Sequence, residues 1–172
     1  FDKVAKMMGI GVPGGPKVEQ LALNGDATRY SLPRPLMGKP GYDFSFSGLK
    51  TAVRRHLEQG AAQSQQSMAD LAAAFQMAMT DCLVGKLRRV VRDHEGQGSI
   101  IVASGGVARN QLLRSRLEQM ASDFSLTLVC PPLPLCSDNA AMIGWAGIEA
   151  LQNGWLDELN VQARSRWPLR AD

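Results

Sequence analysis

Two adjacent glycines, Gly105 and Gly106, separate a β-branched apolar run from a helical pattern, and this junction strongly constrains the fold. The run Ser99–Ala103 predicts a buried strand, and the leucines after the glycines recur at helical spacing. A strand that enters a helix through two glycines leaves backbone N–H groups free at the helix start. These groups and the helix dipole favour negative charge, so the junction predicts a phosphate- or nucleotide-binding loop, although such a turn can also simply be tight.

The remaining patterns indicate mostly helices. The segment 9–16, rich in Gly and Pro, predicts a loop. A long amphipathic helix is predicted over 68–93, with Ser67 and Asp70 resembling a capping box at its start. A second strand is predicted over 126–130, and an almost wholly apolar helix over 140–151 that we expect to be buried on most sides. This order of elements predicts an α/β fold rich in helices.

Composition excludes several classes of protein. The chain has 172 residues, of which 45% are hydrophobic, enough for one domain with a core. No apolar run reaches the ~20 residues that cross a bilayer. Three cysteines without a C-x-x-C pair favour a reducing compartment over a disulfide scaffold or a zinc ribbon. A net charge of +3 is compatible with RNA contact and equally with ordinary solvated side chains.

Three polar residues could carry chemistry. Asp138 follows a proline-rich turn and precedes a helix, so it could cap that helix, ligate a metal or act as a general base. Asn110 could cap local backbone or bind a ligand over the glycines. Asp2 could accept from two ribose hydroxyls or be a solvated surface carboxylate. The histidines, His56 and His94, lack metal-site spacing and are interpreted as surface residues.

Five motifs then follow one another in a characteristic order. They are Phe1-Asp2-Lys3-x-Ala5-Lys6, Pro13-Gly14-Gly15-Pro16, Asp43-Phe44-Ser45-Phe46-Ser47-Gly48-Leu49-Lys50, Ser104-Gly105-Gly106-Val107-Ala108-x-Asn110 and Cys136-Ser137-Asp138-Asn139-x-x-Met142-Ile143. Together they resemble the tRNA threonylcarbamoyladenosine transferases, a family once called O-sialoglycoprotein endopeptidases or glycoproteases. The tail Arg166-Trp167-Pro168-Leu169 is similar to the bacterial members of that family.

The resemblance implies an actin-like, sugar-kinase-like fold of two related lobes. Residues 1–172 correspond to a single C-terminal lobe, and the N-terminal lobe is absent from the chain, which opens on Phe1 and is expected to be a piece of a longer protein. Family members hold one divalent metal, iron or zinc, with a His-x-x-x-His pair of that absent lobe and an aspartate that corresponds to Asp138. The isolated chain is therefore expected to be inactive.

The resemblance also implies a substrate site. Asp2, Gly15 and Asn110 match positions that contact threonylcarbamoyl-AMP, and Gly105 and Gly106 match a loop beside that adenylate. In the implied reaction, the exocyclic amine of the adenosine next to the tRNA anticodon attacks the carbamoyl carbonyl and AMP leaves. The resemblance does not identify the residue that takes the proton.

The implied partners are tRNA, the other proteins of the threonylcarbamoyladenosine synthesis complex, and the absent lobe. An exposed docking face could also pair two copies of the chain. Two interpretations are open for the arginine-rich stretches: contact with tRNA phosphates, or ordinary solvated surface. These stretches are Arg54-Arg55, Arg88-Arg89 and Arg164–Arg170. No membrane partner is expected. The protein is expected in the bacterial cytoplasm, with a mitochondrial relative as the alternative. The alternatives are a metal-dependent glycoprotease and an inactive scaffold of the same fold that binds partners.

Overall fold

The computed structural model describes residues 1–61, 63–94 and 98–163, which form a helix-rich α/β protein with one small parallel sheet. The chain divides into two compact units, Phe1–Ser137 and Asp138–Asp172. The described elements of the first unit are α1 (Asp2–Met7), α2 (Gly14–Ala22), α3 (Ser47–His56), α4 (Gln65–Asp93), β1 (Ile100–Val102), α5 (Gln111–Asp123) and β2 (Thr127–Val129). The second unit contains α6 (Ala140–Gln152).

The main core of the first unit lies between α1, α2, α3 and the alanine-rich first half of α4. Alanine is the best helix former, and its small side chain lets a neighbouring backbone come close. The chain uses this at Gly25, where an added Cβ would lie 2.0 Å from the carbonyl oxygen of Ala69. The fully enclosed members of this core include Ala5, Val18, Leu49, Val53, Leu71, Ala72 and Ala78.

A second apolar cluster fills the space between α4, α5 and one face of the sheet. Strands β1 and β2 pair in parallel through the α5 crossover, with Ile101 opposite Leu128. These two residues face the cluster, whereas Ile100 and Val102 are 60% and 68% exposed. The prediction of a buried strand is therefore wrong for two of its three residues. A parallel strand is buried on both faces when helices cover both, and the described helices of this unit cover one.

Two helix starts differ from the predictions. The capping box of α4 joins Ser64 and Ser67, because the helix begins at Gln65, three residues before the predicted start. The Ser67 N–H donates to Ser64 Oγ at 3.0 Å, and the Ser64 N–H donates to Ser67 Oγ at 3.1 Å. Asp70 is not part of this box; it is buried and accepts the N–H of Asp26 at 2.8 Å.

Helix α2 also begins earlier than predicted, at Gly14, so the loop prediction for 9–16 is wrong in its last three residues. Pro16 is tolerated there because the first turn of a helix has no acceptor for its N–H groups. The segment 28–42 carries Pro33, Pro35 and Pro40, which disfavour a regular helix, and it contains no α-helix. Ionic contacts hold it to α4: Arg34 pairs with Asp81 at 2.8 Å.

The second unit corrects another prediction. Helix α6 forms where the apolar pattern predicts it, yet none of its residues is buried, and Trp145 is 65% exposed. An apolar pattern favours burial only when another element covers it, and the described residues of this unit form no second helix or strand. No helix in the described part of the chain is long and apolar enough to cross a membrane. The predictions for Arg164–Arg170 and the tail motif lie outside the described residues.

Candidate functional site

An open cleft of about 540 Å³ lies in the first unit, where the starts of α1 and α2 meet the turn before α5. Its size is in the range of small-molecule sites. It is lined by Phe1, Asp2, Pro13, Gly15, Pro16, Glu19, Gly106, Val107, Arg109, Asn110 and Ser137. The predicted residues Asp2 and Gly15 thus meet the predicted Gly106 and Asn110, although about ninety or more residues separate the two pairs. Gly105, also predicted for this site, is not among the lining residues.

Asp2 has a structural role that neither sequence interpretation anticipated. Its Oδ1 accepts the backbone N–H of Gly14 at 2.8 Å, which satisfies the first donor of α2. Gly14 is required there, because an added Cβ would lie 2.6 Å from Asp2 Cα and 2.7 Å from Ala5 Cβ. This contact brings α1 and α2 together and aims the Asp2 carboxyl group at the cleft, leaving its second oxygen to accept from a ligand.

The glycine junction differs from the prediction at the helix start. Strand β1 ends at Val102, a 3-10 turn covers Gly106–Arg109, and α5 begins at Gln111. Two N–H groups of its first turn already have partners: Gln111 donates to Glu19 Oε1 at 2.7 Å, and Leu113 donates to Asn110 Oδ1 at 2.9 Å. The expectation of free N–H groups at the start of α5 is therefore wrong for Gln111 and Leu113, and phosphate or nucleotide binding at this junction stays a prediction.

The two glycines of the junction have different reasons to be glycine. Gly105 has a φ of 86°, a conformation that other residues rarely adopt. At Gly106 an added Cβ would meet no atom of the chain within 4 Å, so packing does not require glycine there. Gly106 instead leaves an open wall of the cleft against which a ligand can come close.

Asn110 confirms the local capping interpretation and also reaches the cleft. It is the N-cap of α5, and only 6% of its surface is exposed. Its Nδ2 donates to Oε1 of the buried Gln76 on α4 at 3.1 Å. The long helix of the core thereby fixes the orientation of the Asn110 amide at the cleft wall.

Sequence reasoning missed the three other lining residues with polar side chains: Glu19, Arg109 and Ser137. Glu19 had a usable signal, because it lies one helical turn after Gly15 and so shares its face of α2. Its carboxylate and that of Asp2 come from the α1–α2 side, while the Arg109 guanidinium comes from the turn before α5. Carboxylates accept from hydroxyl groups and a guanidinium binds phosphate, so the cleft suits a ligand that carries both.

The metal prediction rests on Asp138, which lies in the second unit. Asp138 does not cap α6: the N-cap is Asn139, whose Oδ1 accepts the N–H of Met142 at 2.9 Å. Asp138 is exposed, and no group of three or more His, Cys, Asp or Glu residues that could hold a metal occurs among the described residues. Zinc sites take three or four protein ligands, so the described residues do not form such a site by themselves.

Comparisons with known proteins show the family of the chain. A family model described as tRNA N6-adenosine threonylcarbamoyltransferase matches residues 1–145. The chain belongs to this family. Three relatives carry the same name: 49% identity to the protein of Rhodospirillum rubrum over all of this chain, 50% to that of Methylobacterium sp. (strain 4-46) over 98%, and 51% to that of Paracoccus denitrificans over 98%.

The match to the threonylcarbamoyltransferases covers only part of each relative. The chain covers 49% of the Rhodospirillum and Methylobacterium relatives and 48% of the Paracoccus relative. It thus spans about half the length of the curated relatives it matches. The family match ends at residue 145 and includes every lining residue of the cleft.

Proposed function

We propose that the full-length protein transfers a threonylcarbamoyl group from threonylcarbamoyl-AMP to the exocyclic amine of the adenosine next to the tRNA anticodon. The cleft of this chain forms one wall of the adenylate site. The observation that carries the proposal is the convergence of Asp2, Gly15, Gly106 and Asn110 on one cleft, in a chain that belongs to the transferase family.

The cleft residues have separate roles in this proposal. The free carboxylate oxygen of Asp2, together with Glu19, accepts from the ribose hydroxyls, and Arg109 faces the phosphate. Gly15 and Gly106 leave room for the nucleotide to lie against the backbone. Asn110 keeps the wall rigid through its bond to Gln76.

The reaction forms one bond and breaks another. The amine nitrogen of adenosine bonds to the carbamoyl carbon, the bond from that carbon to the phosphate oxygen breaks, and AMP leaves with the electron pair. The amine loses a proton. Because an exocyclic amine is a poor nucleophile, much of the acceleration comes from holding both reactants in line. The contribution of this chain is therefore to bind and orient the adenylate.

The remaining features of the proposal belong to the whole protein. We place this chain in the C-terminal lobe of an actin-like, sugar-kinase-like fold in the cytoplasm, acting on tRNA with partner proteins. Asp138 contributes one carboxylate ligand to an iron or zinc ion whose other ligands lie outside the described residues. The relatives reported above carry the transferase name and give no support to the glycoprotease alternative.

A pair of glycine substitutions tests the proposal. Gly106→Gln fills the cleft, and Gly38→Gln is its matched control, because an added Cβ meets no atom within 4 Å at either position and Gly38 is remote from the cleft lining. The full-length protein, with its partner proteins, threonylcarbamoyl-AMP and unmodified tRNA, is assayed by mass spectrometry of the nucleosides.

We expect wild type and G38Q to form threonylcarbamoyladenosine at rates within about two-fold. G106Q should lose at least about ten-fold, which corresponds to ~1.4 kcal/mol of binding. A wild-type protein that forms no product with all its partners present would contradict the proposed function. A G106Q variant as active as G38Q would show that the cleft takes no part in the proposed reaction.

A further inference from the structure

A second concave surface, which we call the basic hollow, lies between α1 and α3 and has a volume of about 470 Å³. Four basic side chains line it, two from each helix, together with the hydroxyl groups of two residues of α3. These are Lys3, Lys6, Lys50, Arg54, Ser47 and Thr51. No carboxylate belongs to its lining among the described residues. It is separate from the cleft, with which it shares no residue.

The charge of the basic hollow is almost uncompensated. Lys3 and Lys6 are three residues apart on α1, and Lys50 and Arg54 are four apart on α3, spacings at which like charges destabilise a helix. Among the described residues, Arg54 pairs with Glu58 at 3.7 Å, but both side chains are about two-thirds exposed, so the pair is weak. No ion pair with a described residue engages the three lysines.

Three arginines on α4 or in contact with it are, by contrast, paired with carboxylates. Arg34 and Arg116 share Asp81, at 2.8 Å and 3.1 Å, and Arg88 pairs with Asp123. Each of these three arginines has a carboxylate partner, and the buried Lys86 of α4 donates to two backbone carbonyl oxygens. The basic hollow lacks such a partner, and its combination of Lys, Arg and hydroxyl groups is typical of surfaces that contact nucleic-acid phosphates.

We propose that the basic hollow binds backbone phosphates of the tRNA, beside the nucleotide held at the cleft; the identity of the RNA rests on the function proposed above. Helix α1 borders both surfaces, because Asp2 lines the cleft while Lys3 and Lys6 line the hollow. Its six residues span about 9 Å, so a strand bound at the hollow lies close to the cleft. Phosphates bound there position the strand and do not read its sequence.

The surroundings favour RNA over a lipid surface. A helix that lies on a membrane exposes large apolar side chains toward the lipid. The large apolar residues Val4, Leu49 and Val53 of α1 and α3 instead face the main core, at 0–1% exposure. Met7 of α1 also lines the hollow, but it is half-buried and packs against the same core. The hollow therefore offers mainly charge and hydroxyl groups, and its one described apolar lining residue is already engaged with the core.

The test measures RNA affinity and its dependence on salt in the full-length protein. Lys6→Gln/Lys50→Gln removes one charge from each helix, and a second variant, Lys3→Gln/Arg54→Gln, removes the other two. Arg92→Gln is the control, because Arg92 is exposed on α4 and has no ion pair with a described residue. Unmodified tRNA carrying a fluorescent label is titrated at several salt concentrations.

We expect each double variant to bind tRNA about ten-fold more weakly at ~0.1 M salt, with R92Q within about two-fold of wild type. The slope of log affinity against log salt should fall by about 1.4 to 1.8, because each lost phosphate contact removes about 0.7 to 0.9. Unchanged affinity and slope in both double variants, with unchanged melting temperatures, would overturn the proposal. Loss of binding to anionic vesicles with intact tRNA affinity would assign the hollow to lipid and overturn it as well.

The outcomes also separate this inference from the proposed transfer. If wild type binds tRNA through the hollow but forms no threonylcarbamoyladenosine, the transfer reaction is wrong and the RNA surface stands. If wild type forms the product and the double variants keep its KM for tRNA, the transfer stands and the role of the hollow is wrong.

Discussion

At the scale of single residues, two neighbouring glycines of α2 have opposite reasons to be glycine. Gly14 has no space for a side chain, since backbone and Cβ atoms of α1 lie 2.6–2.7 Å from an added Cβ. Gly15 has its nearest atom at 4.0 Å and faces the cleft. The fold therefore requires the first glycine, whereas packing leaves room for a side chain at the second.

Gly14→Ala should therefore destabilise the chain by about 1–3 kcal/mol, the typical cost of an overpacked core, because neither neighbour can move away as a flexible side-chain end would. Gly15→Ala should change the free energy of unfolding by no more than ~1 kcal/mol while weakening adenylate binding. Urea unfolding monitored by circular dichroism measures both. Equal losses of stability in the two variants would show that the α1–α2 contact is looser than the distances indicate.

Long-range contacts limit what the sequence predicts about the site. Asp2, Gly15, Gly106 and Asn110 are found from local motifs and the family resemblance, and all four line the cleft. The bonds that hold the cleft together join residues 34 and 92 positions apart, Asn110 with Gln76 and Gln111 with Glu19. Nothing in the local pattern marks Gln76 or Glu19 as a partner. The prediction of a free N–H group at Gln111, the first residue of α5, is wrong for this reason.

At the scale of elements, helices are predicted well because periodicity is a local property of the sequence. Exposure is predicted poorly because it depends on residues elsewhere in the chain. The end of α4 at Asp93 and the presence of a helix after the glycines follow from apolar spacing. Burial of β1 and α6 was predicted from apolar composition and is wrong, because coverage depends on elements elsewhere in the chain. The start of α4 was missed because Ser64 and Ser67 form the capping box with a second serine where glutamate or glutamine is usual.

One buried lysine ties the proline-rich segment to α4, and it yields a prediction at this scale. Lys86 is 3% exposed, and its Nζ donates to the carbonyl oxygens of Lys39 at 3.1 Å and Gly41 at 2.8 Å. Lys86→Met keeps the length of the side chain but removes both bonds. We expect a loss of about 1–3 kcal/mol in the free energy of unfolding, because two hydrogen bonds from a charged donor are lost.

Arg89→Met is the matched control for Lys86. Arg89 donates to the same Lys39 oxygen at 2.9 Å, but its side chain is 41% exposed, so its removal should cost less than ~1 kcal/mol. Limited proteolysis over residues 37–42 gives an independent measurement, since a released segment is cut faster. If R89M and K86M lose the same stability and are cut at the same rate, burial of the Lys86 bonds does not hold the segment.

At the scale of the whole molecule, the first unit has a core and a cleft but leaves one face of its sheet uncovered. Ile100, Val102 and Val129 are 60%, 68% and 45% exposed on that face. A parallel sheet with a bare apolar face favours association, because covering the face removes apolar surface from water. We therefore expect the isolated chain to associate with itself in a concentration-dependent way.

Successive side chains of β1 point to opposite faces of the sheet, and this alternation provides matched variants that test the expectation. Ile100→Lys/Val102→Lys places charges on the bare face and should shift the isolated chain toward monomer in sedimentation equilibrium, with its circular dichroism spectrum unchanged. Ile101→Lys, one residue away, points into the second apolar cluster and should unfold the chain, because a charge without a partner is buried there. Self-association that persists in I100K/V102K would assign it to another surface, and a folded I101K variant would show that the register of β1 is wrong.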